Sequence, residues 1–231
     1  MHKVSVIIPT YNRFSFVFNA INSALSQSYP NLEIIVINDN SSDKRYDSFN
    51  WDSLKIKYFK TDGKGVCFSR NLGIEKSKGD YIAFLDDDDM LLPLKIEKQI
   101  KNLGSTMMSC TEGYYSSSSS TYKTCNRNFL YFGEKYVGYI KNCIGNKTIP
   151  NIIKKEHMLK HNIMVTSSVL IEKGILQKCN GFIMDKEHRC EDWPLWKRCL
   201  EYTDCIYVNE PLFYYNNTPH ERNALKRGVS W

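Results

Sequence analysis

The chain has 231 residues, 42% hydrophobic and 13% aromatic. That is too apolar for a disordered chain and long enough to bury a core without disulfide staples. Lys and Arg number 31 against 25 Asp and Glu, a net charge of +6, which is too mild an excess to argue for a nucleic-acid partner. Eight cysteines occur without a single CxxC pair, which excludes the usual zinc-ribbon and thioredoxin-like spacings. No apolar stretch approaches the ~18 residues of a membrane span, and Met1-His2-Lys3 runs into a strand pattern without a signal-peptide core. Reduced thiols in a cytoplasmic protein, or one on the cytosolic face of a membrane, are the expectation.

The first hundred residues alternate strand and helix signals. Val4 to Pro9 is a β-branched apolar run suited to a strand buried on both faces. Phe14, Val17, Ile21, Ala24 and Leu25 then form a helical stripe that Tyr29-Pro30 ends. Leu32 to Asn38 reads as a second buried strand. Asp39 to Asp43 is turn chemistry leading into a short polar helix, and Ile56 to Lys60 is a third strand. After the Gly63-Lys64-Gly65 loop, Val66 to Lys78 predicts a helix closed by Gly79-Asp80. Tyr81 to Leu85 predicts a fourth strand, and a further helix begins near Pro93. This alternation implies βαβ units and a parallel sheet with helices on both sides.

The second half is less regular. Thr106 to Tyr115 predicts a strand, the five serines at 116–120 a flexible loop tip, and 129–145 is aromatic-rich without a period. Val165 to Glu172 predicts a strand, Asp192 to Tyr202 a helix carrying Trp193, Leu195, Trp196, Cys199 and Leu200. Strands follow at Asp204 to Asn209 and Leu212 to Tyr215. The last stretch, 216–231, is polar and basic and reads as a mobile tail.

Ligands of open α/β sheets bind at the carboxyl ends of the strands. There the first strand delivers Pro9-Thr10-Tyr11-Asn12-Arg13, the second Asn38 to Asp43, and the fourth Asp86-Asp87-Asp88-Asp89. Four consecutive aspartates repel one another, and a hard divalent cation such as Mg²⁺ or Mn²⁺ would relieve that repulsion. A solvated acidic turn capping the following helix is the plainer alternative.

Five blocks carry a resemblance. VSVIIPTYNR, EIIVINDNSSD, GVCFSRNLGIEKSKGDYIAFLDDDD, SSVLIEKGILQKCNGFIMD and CEDWPLWKRC stand in the order found in family 2 glycosyltransferases, and they span residues 3 to about 215. The resemblance implies the GT-A fold, a Rossmann-like α/β architecture with a mixed, mostly parallel sheet flanked by helices. It implies one domain over 1–231, with a nucleotide-sugar donor half at 1–104, an acceptor and catalytic half at 105–215, and the tail. Pro9, Thr10, Tyr11 and Arg13 stand where relatives bind the donor, and Asp39 stands where they contact uracil. Arg70 resembles the basic residue near the diphosphate. Asp86, Asp87 and Asp88 match the D-x-D element, with Asp86 toward the ribose and Asp88 on a metal that bridges the phosphates. Asp89 is expected beyond it, near the sugar.

By the same resemblance Asp192 is the general base, with Glu191 as helper or second candidate. Trp193 and Trp196 can pack on an acceptor sugar or belong to the core. The sequence departs from the family at its end. The arginine of the Tyr-Arg-x-His element is replaced by Asn216, and His220, a candidate metal ligand, is displaced. Arg222, Lys226 or Arg227 can supply the missing charge if the tail folds over the donor. The expected function is metal-dependent, inverting transfer from a nucleotide-diphospho sugar, a UDP-sugar first, to the hydroxyl of a glycan, lipid-linked or protein acceptor. A non-catalytic nucleotide-sugar or glycan-binding module of the same fold is the alternative. A nucleotidyltransferase is disfavoured because PTYNRFS has no glycine.

Overall fold

The apolar run that opens the chain is buried residue by residue over strand β1, Val4–Thr10. Its side chains feed two different cores. Val4, Val6 and Ile8 enter one cluster with helix α1, Phe14–Leu25, while Ile7 enters another on the opposite face. A sheet covered on both sides needs continuous rather than alternating hydrophobicity. The computed structural model describes residues 1–115, 149–159, 162–184 and 190–216.

The remaining strands are β2 (Leu32–Asn38), β3 (Lys57–Lys60), β4 (Tyr81–Phe84), β5 (Met90–Leu91), β6 (Met108–Tyr115), β7 (Ile152–Ile153), β8 (Leu170–Glu172) and β9 (Cys205–Tyr215). Among the described residues they form one nine-stranded sheet in the order β3-β2-β1-β4-β8-β6-β9-β5, with β7 also on β9. The long ladders, β1 with β2 and β6 with β9, are parallel. The antiparallel ones, such as β4 with β8, pair only two or three residues each. Because β8 runs antiparallel to both β4 and β6, strands β1, β2, β4, β6 and β9 all point their carboxyl ends to one edge. Polar residues gather there.

The helices are α2 (Arg45–Ser48), α3 (Val66–Lys76), α4 (Lys95–Asn102), α5 (Lys173–Lys178) and α6 (Asp192–Cys199). Helices α1 and α4 cover the face with Val4, Val6 and Ile8, through Val17, Ala20, Ile21 and Ile96. Helices α3, α5 and α6 cover the other, through Ile74, Ile175, Leu176, Leu195 and Trp196.

Several expectations need correction. Helix α1 stops at Leu25, and that residue is exposed; Ala20 takes its place on the buried stripe. The expected strand from Val165 is a 3-10 turn at Thr166–Ser168 before β8 begins. Ser168 bonds Val165 carbonyl with both its N–H, 2.9 Å, and its hydroxyl, 2.6 Å, and such local serine bonding competes with extended backbone. The two expected strands at 204–209 and 212–215 are one, β9. Pro211 interrupts the propensity and lacks a donor, but β9 is irregular beside it: Thr111 pairs with Val208 and the next residue of β6, Glu112, with Pro211, so Asn209 and Glu210 are extra residues of β9. An irregularity of that kind is where a strand proline is tolerated. The helix expected to Tyr202 ends at Cys199 and continues only as turns. The serine run, the aromatic 129–145 stretch and the tail beyond Asn216 lie outside the described residues.

Gly73 sets how closely α3 lies on β1. A Cβ built there would stand 2.4 Å from Ile7 Cγ2. In an open helix Gly→Ala stabilises by about 1 kcal/mol. Here the sign should reverse: Gly73→Ala should destabilise by about 1–3 kcal/mol through overpacking. Urea denaturation measures it, and an unchanged or raised midpoint would refute this packing.

Candidate active site

At the end of β1 the backbone turns through Asn12, whose φ is 54°. Its N–H donates to Ser41 Oγ at 2.9 Å, and its Oδ1 accepts from Ser42 N–H at 2.8 Å. Asparagine tolerates this left-handed conformation better than most residues. The turn launches α1 and presents Arg13, whose N–H donates to the Tyr46 hydroxyl at 3.2 Å. Thr10 Oγ1 lies 2.6 Å from the same hydroxyl and also bonds Asp87. Burial above all pushes the Tyr46 phenol up to about 12. Pro9 and Thr10 are buried and Tyr11 is half-buried.

Asp39, at the end of β2, is buried and ties down the loop that precedes α3. Its Oδ1 accepts from the Thr61 hydroxyl and from Lys64 N–H at 3.0 Å, and its Oδ2 from Gly65 N–H at 2.9 Å. Gly63 and Gly65 have φ of 78° and 87°, which favours glycine at both. A carboxylate offers about four lone-pair positions. One at Oδ2 therefore remains for a further N–H donor.

The four aspartates after β4 point in different directions. The turn is closed by Asp89 N–H on Asp86 carbonyl at 3.0 Å. Asp86 meets Arg70. Asp87 and Asp88 meet Arg13, at 3.1 and 2.8 Å. Asp89, 1% exposed, turns inward: Oδ2 accepts from the Ser167 hydroxyl and Oδ1 from Asn216 N–H at 2.9 Å. Ser167 Oγ in turn accepts Asp86 N–H at 3.1 Å. Asp89 is thus a brace joining β4, the 166–168 turn and the end of β9, not a residue facing a sugar. The bond from Asn216 uses its backbone, so this contact does not depend on which side chain stands there. Burial, then the neighbouring carboxylates, push Asp89 well above the usual carboxylate range. Asp87 is pushed up to about 7 by burial, opposed by Arg13 and reinforced by Asp88.

Arg70 lies in α3 with its side chain 4% exposed. Nη1 donates to Glu191 Oε1 at 2.7 Å and Nη2 to Asp86 Oδ1 at 2.6 Å. The guanidinium sits 5.0 Å from the Phe182 ring centroid. Burial acts to lower its pKa, but the two carboxylates outweigh this and raise it. Expected beside a diphosphate, Arg70 is committed to protein carboxylates. The adjacent Asn71 holds Phe182 by both backbone groups, at 2.8 and 2.9 Å, and so fixes the floor beneath Arg70.

Glu191 is the N-cap residue of α6 and Asp192 its first residue. Asp192 Oδ2 accepts from Asn162 Nδ2 at 3.0 Å and Thr166 Oγ1 at 3.3 Å, and Oδ1 from Trp193 N–H at 2.7 Å. Burial, with the Glu191 charge and against Arg70, raises Asp192 to about 6. Trp196 is wholly in the core. Trp193 is half-buried, its indole N–H on Met158 carbonyl at 2.7 Å. Asn162, Thr166 and Tyr46 have no distinctive sequence signal, and Ser167 and Asn71 stand in the family blocks without a role attached; only the structure shows how they hold the charged groups and Phe182 in place. His220, Arg222, Lys226 and Arg227 lie outside the described residues.

Asp86, Asp87, Asp88 and Glu191 place four carboxylates against the two guanidiniums of Arg13 and Arg70. A hard dication suits this surplus and its oxygen donors. Among the described residues no three His, Cys, Asp or Glu side chains converge as a preformed cage.

Residues 5–166 match the sequence profile described as Glycosyl transferase family 2. The chain belongs to that family. The matched stretch includes Asp39, Arg70 and the four aspartates but ends before α6. Among family relatives, the chain is 32% identical over 202 residues to an Escherichia coli protein named UDP-Glc:alpha-D-GlcNAc-diphosphoundecaprenol beta-1,3-glucosyltransferase WfaP, covering 87% of this chain and 71% of that one. Against three Rickettsia proteins described as uncharacterized glycosyltransferases it spans only 15%, 27% and 32% of their length.

Solved structures show the GT-A fold. TarS 1-349 of S. aureus with UDP-GlcNAc superposes with a TM-score of 0.67 at 16% identity, over 93% of this chain and 58% of that 1-349 chain. The mannosyltransferase PcManGT of Pyrobaculum calidifontis, with GDP-Man and Mn2+, gives 0.64 at 17% identity, over 99% of this chain and 59% of its own.

In this family 2 chain, Arg70→Met leaves Asp86 and Glu191 without their shared cation. Removing one partner of a fully buried pair costs about 3–5 kcal/mol. Here the carboxylates keep 29% and 18% exposure, so water compensates in part and a loss of about 2–3 kcal/mol is expected. Chemical denaturation checks it. Arg70→Lys should recover only part, because one ammonium cannot reproduce the two-pronged contact.

Proposed function

We propose that the chain is a metal-dependent, inverting glycosyltransferase acting on a nucleotide-diphospho sugar, a UDP-sugar first, with one sheet joining its donor and catalytic halves as a single domain. The observation that carries this reading is Asp192. It is a largely buried carboxylate raised to about 6, joined through Glu191, Arg70 and Asp86 to the aspartate turn at the donor edge. A carboxylate tuned toward neutrality is suited to proton abstraction. The UDP-Glc donor of WfaP and the UDP-GlcNAc bound to TarS support a UDP-sugar, and the PcManGT complex supports Mn²⁺.

The acceptor hydroxyl attacks the anomeric carbon of the donor sugar. Its oxygen forms the new glycosidic bond, the bond from that carbon to the diphosphate oxygen breaks with its electron pair, and the hydroxyl proton passes to Asp192. Attack opposite the leaving group inverts the centre. Asn162, Thr166 and Trp193 N–H orient the base. Asp39 Oδ2 can accept a base N–H. Asp88, with Asp86 or Asp87, would hold the metal. When bound, the ion offsets the diphosphate charge that builds as the bond breaks. Among the described residues no helix is long and apolar enough to cross a membrane; we place the reaction in the cytoplasm or at the cytosolic face of a membrane.

Asp192→Asn should bind donor normally and lose transfer by about 10²–10⁴-fold; near-normal turnover would refute the assignment of the base. Since the base must be ionised, kcat/KM of the wild type should fall about tenfold per pH unit below about 6 and level off above about 7. Calorimetric titration of UDP, GDP and dTDP, each with and without Mn²⁺, tests the donor. Metal-dependent binding of UDP alone is expected. Binding without turnover of any UDP-sugar would indicate a binding module instead.

A further inference from the structure

Arg13 meets the aspartate turn in an unusual way. Arginine commonly engages one carboxylate with two nitrogens. Here one nitrogen, Nη1, contacts two carboxylates of adjacent residues, Asp87 Oδ1 at 3.1 Å and Asp88 Oδ2 at 2.8 Å. A single positive centre between neighbouring carboxylates has the electrostatic role of a metal ion.

The surroundings separate a fixed backbone from a more accessible side chain. Arg13 N–H is held by Tyr46, and its carbonyl accepts from Phe16 and Val17 N–H, both at 3.0 Å. The Asn12 turn before it is tied to Ser41 and Ser42. The Arg13 side chain nevertheless keeps 22% exposure, against 8% for Asp87 and 18% for Asp88. The Arg70 side chain, by contrast, is closed off at 4% exposure.

We infer that Arg13 acts as a stand-in cation, holding Asp87 and Asp88 when neither metal nor donor is bound and competing with the metal for Asp88. The inference rests on the metal-dependent reading above. A donor diphosphate offers the guanidinium another anionic partner. Arg13 can then leave Asp88, so nucleotide and metal should each favour the other's binding by the same factor. Without donor, Arg13 stays on the pair and offsets part of its charge, and metal affinity stays low.

The test titrates the full chain with Mn²⁺, following free aquo-ion by electron paramagnetic resonance, with and without UDP. For the wild type, UDP should tighten Mn²⁺ binding by about tenfold or more. Arg13→Met should bind Mn²⁺ about tenfold tighter without UDP and lose most of the UDP-dependent gain. Arg13→Gln should behave alike, and Arg13→Lys, which keeps the charge, should stay near the wild type. If Met and Gln bind Mn²⁺ no tighter than the wild type without UDP, while all bind it with UDP, the stand-in role is overturned and the metal site survives. Absence of Mn²⁺ uptake by the wild type with UDP would overturn the metal-dependent reading itself.

Discussion

The guanidinium of Arg70 is the constraint on which the rest of the site depends. It is buried in α3, with Asp86 on one terminal nitrogen and Glu191 on the other. Glu191 is 121 residues away in sequence, so this one side chain positions the start of α6 against the aspartate turn. Burying a cation is costly unless its charge and hydrogen bonds are met. The geometry around it is therefore tightly specified. Gly73 lets α3 approach β1, and Asn71 fixes Phe182 beneath the guanidinium. The bland features of the sequence near Arg70 exist to seat it.

The same logic explains the acidic turn. Four adjacent carboxylates would repel if they shared one environment. The backbone divides them among three: Asp86 to a buried cation, Asp87 and Asp88 to an accessible one, and Asp89 into the interior with Ser167 and Asn216 N–H. The inward aspartate has a structural use, because it fastens the ends of β4 and β9 and the 166–168 turn, which come from distant parts of the chain. What remains beside Arg13 is a carboxylate pair, Asp87 buried and Asp88 partly open, which suits the proposed exchange of a cation and an anionic donor.

Legibility in the sequence follows the range of the interactions. Strand β2 appears at Leu32–Asn38, where a doubly buried strand announces itself as an unbroken apolar run. Helix α1 is legible but its end is not, since Leu25 satisfies the helical period while facing solvent. Where hydroxyls choose between extended and local bonding, as at Thr166–Ser168, propensity misleads. Pro211 divides β9 only on paper, because the irregularity that accommodates it, Asn209 and Glu210 intervening between the pairings of Val208 and Pro211, shows only in the ladder with β6. Within the site, residue types and order identified the charged groups, but not their partners. Asp89 looks the same as its three neighbours in sequence, and Trp196 the same as Trp193. Their separation into brace and rim, or core and half-buried platform, is decided by tertiary contacts alone.

These contrasts bear on how a site can be both rigid and responsive. Chemistry at a sugar carbon needs the base and the leaving group fixed relative to each other, since small misplacements are expensive in rate. Arg70 provides that fixity by linking the helix of Asp192 to the turn of Asp86 from a position closed to water. In the proposed reading donor and metal must nevertheless enter and leave, which needs a charge that can be exchanged. Arg13 has that character because its backbone is anchored while its side chain borders solvent. Two arginines facing one acidic turn therefore do opposite work, and burial rather than residue type assigns the roles.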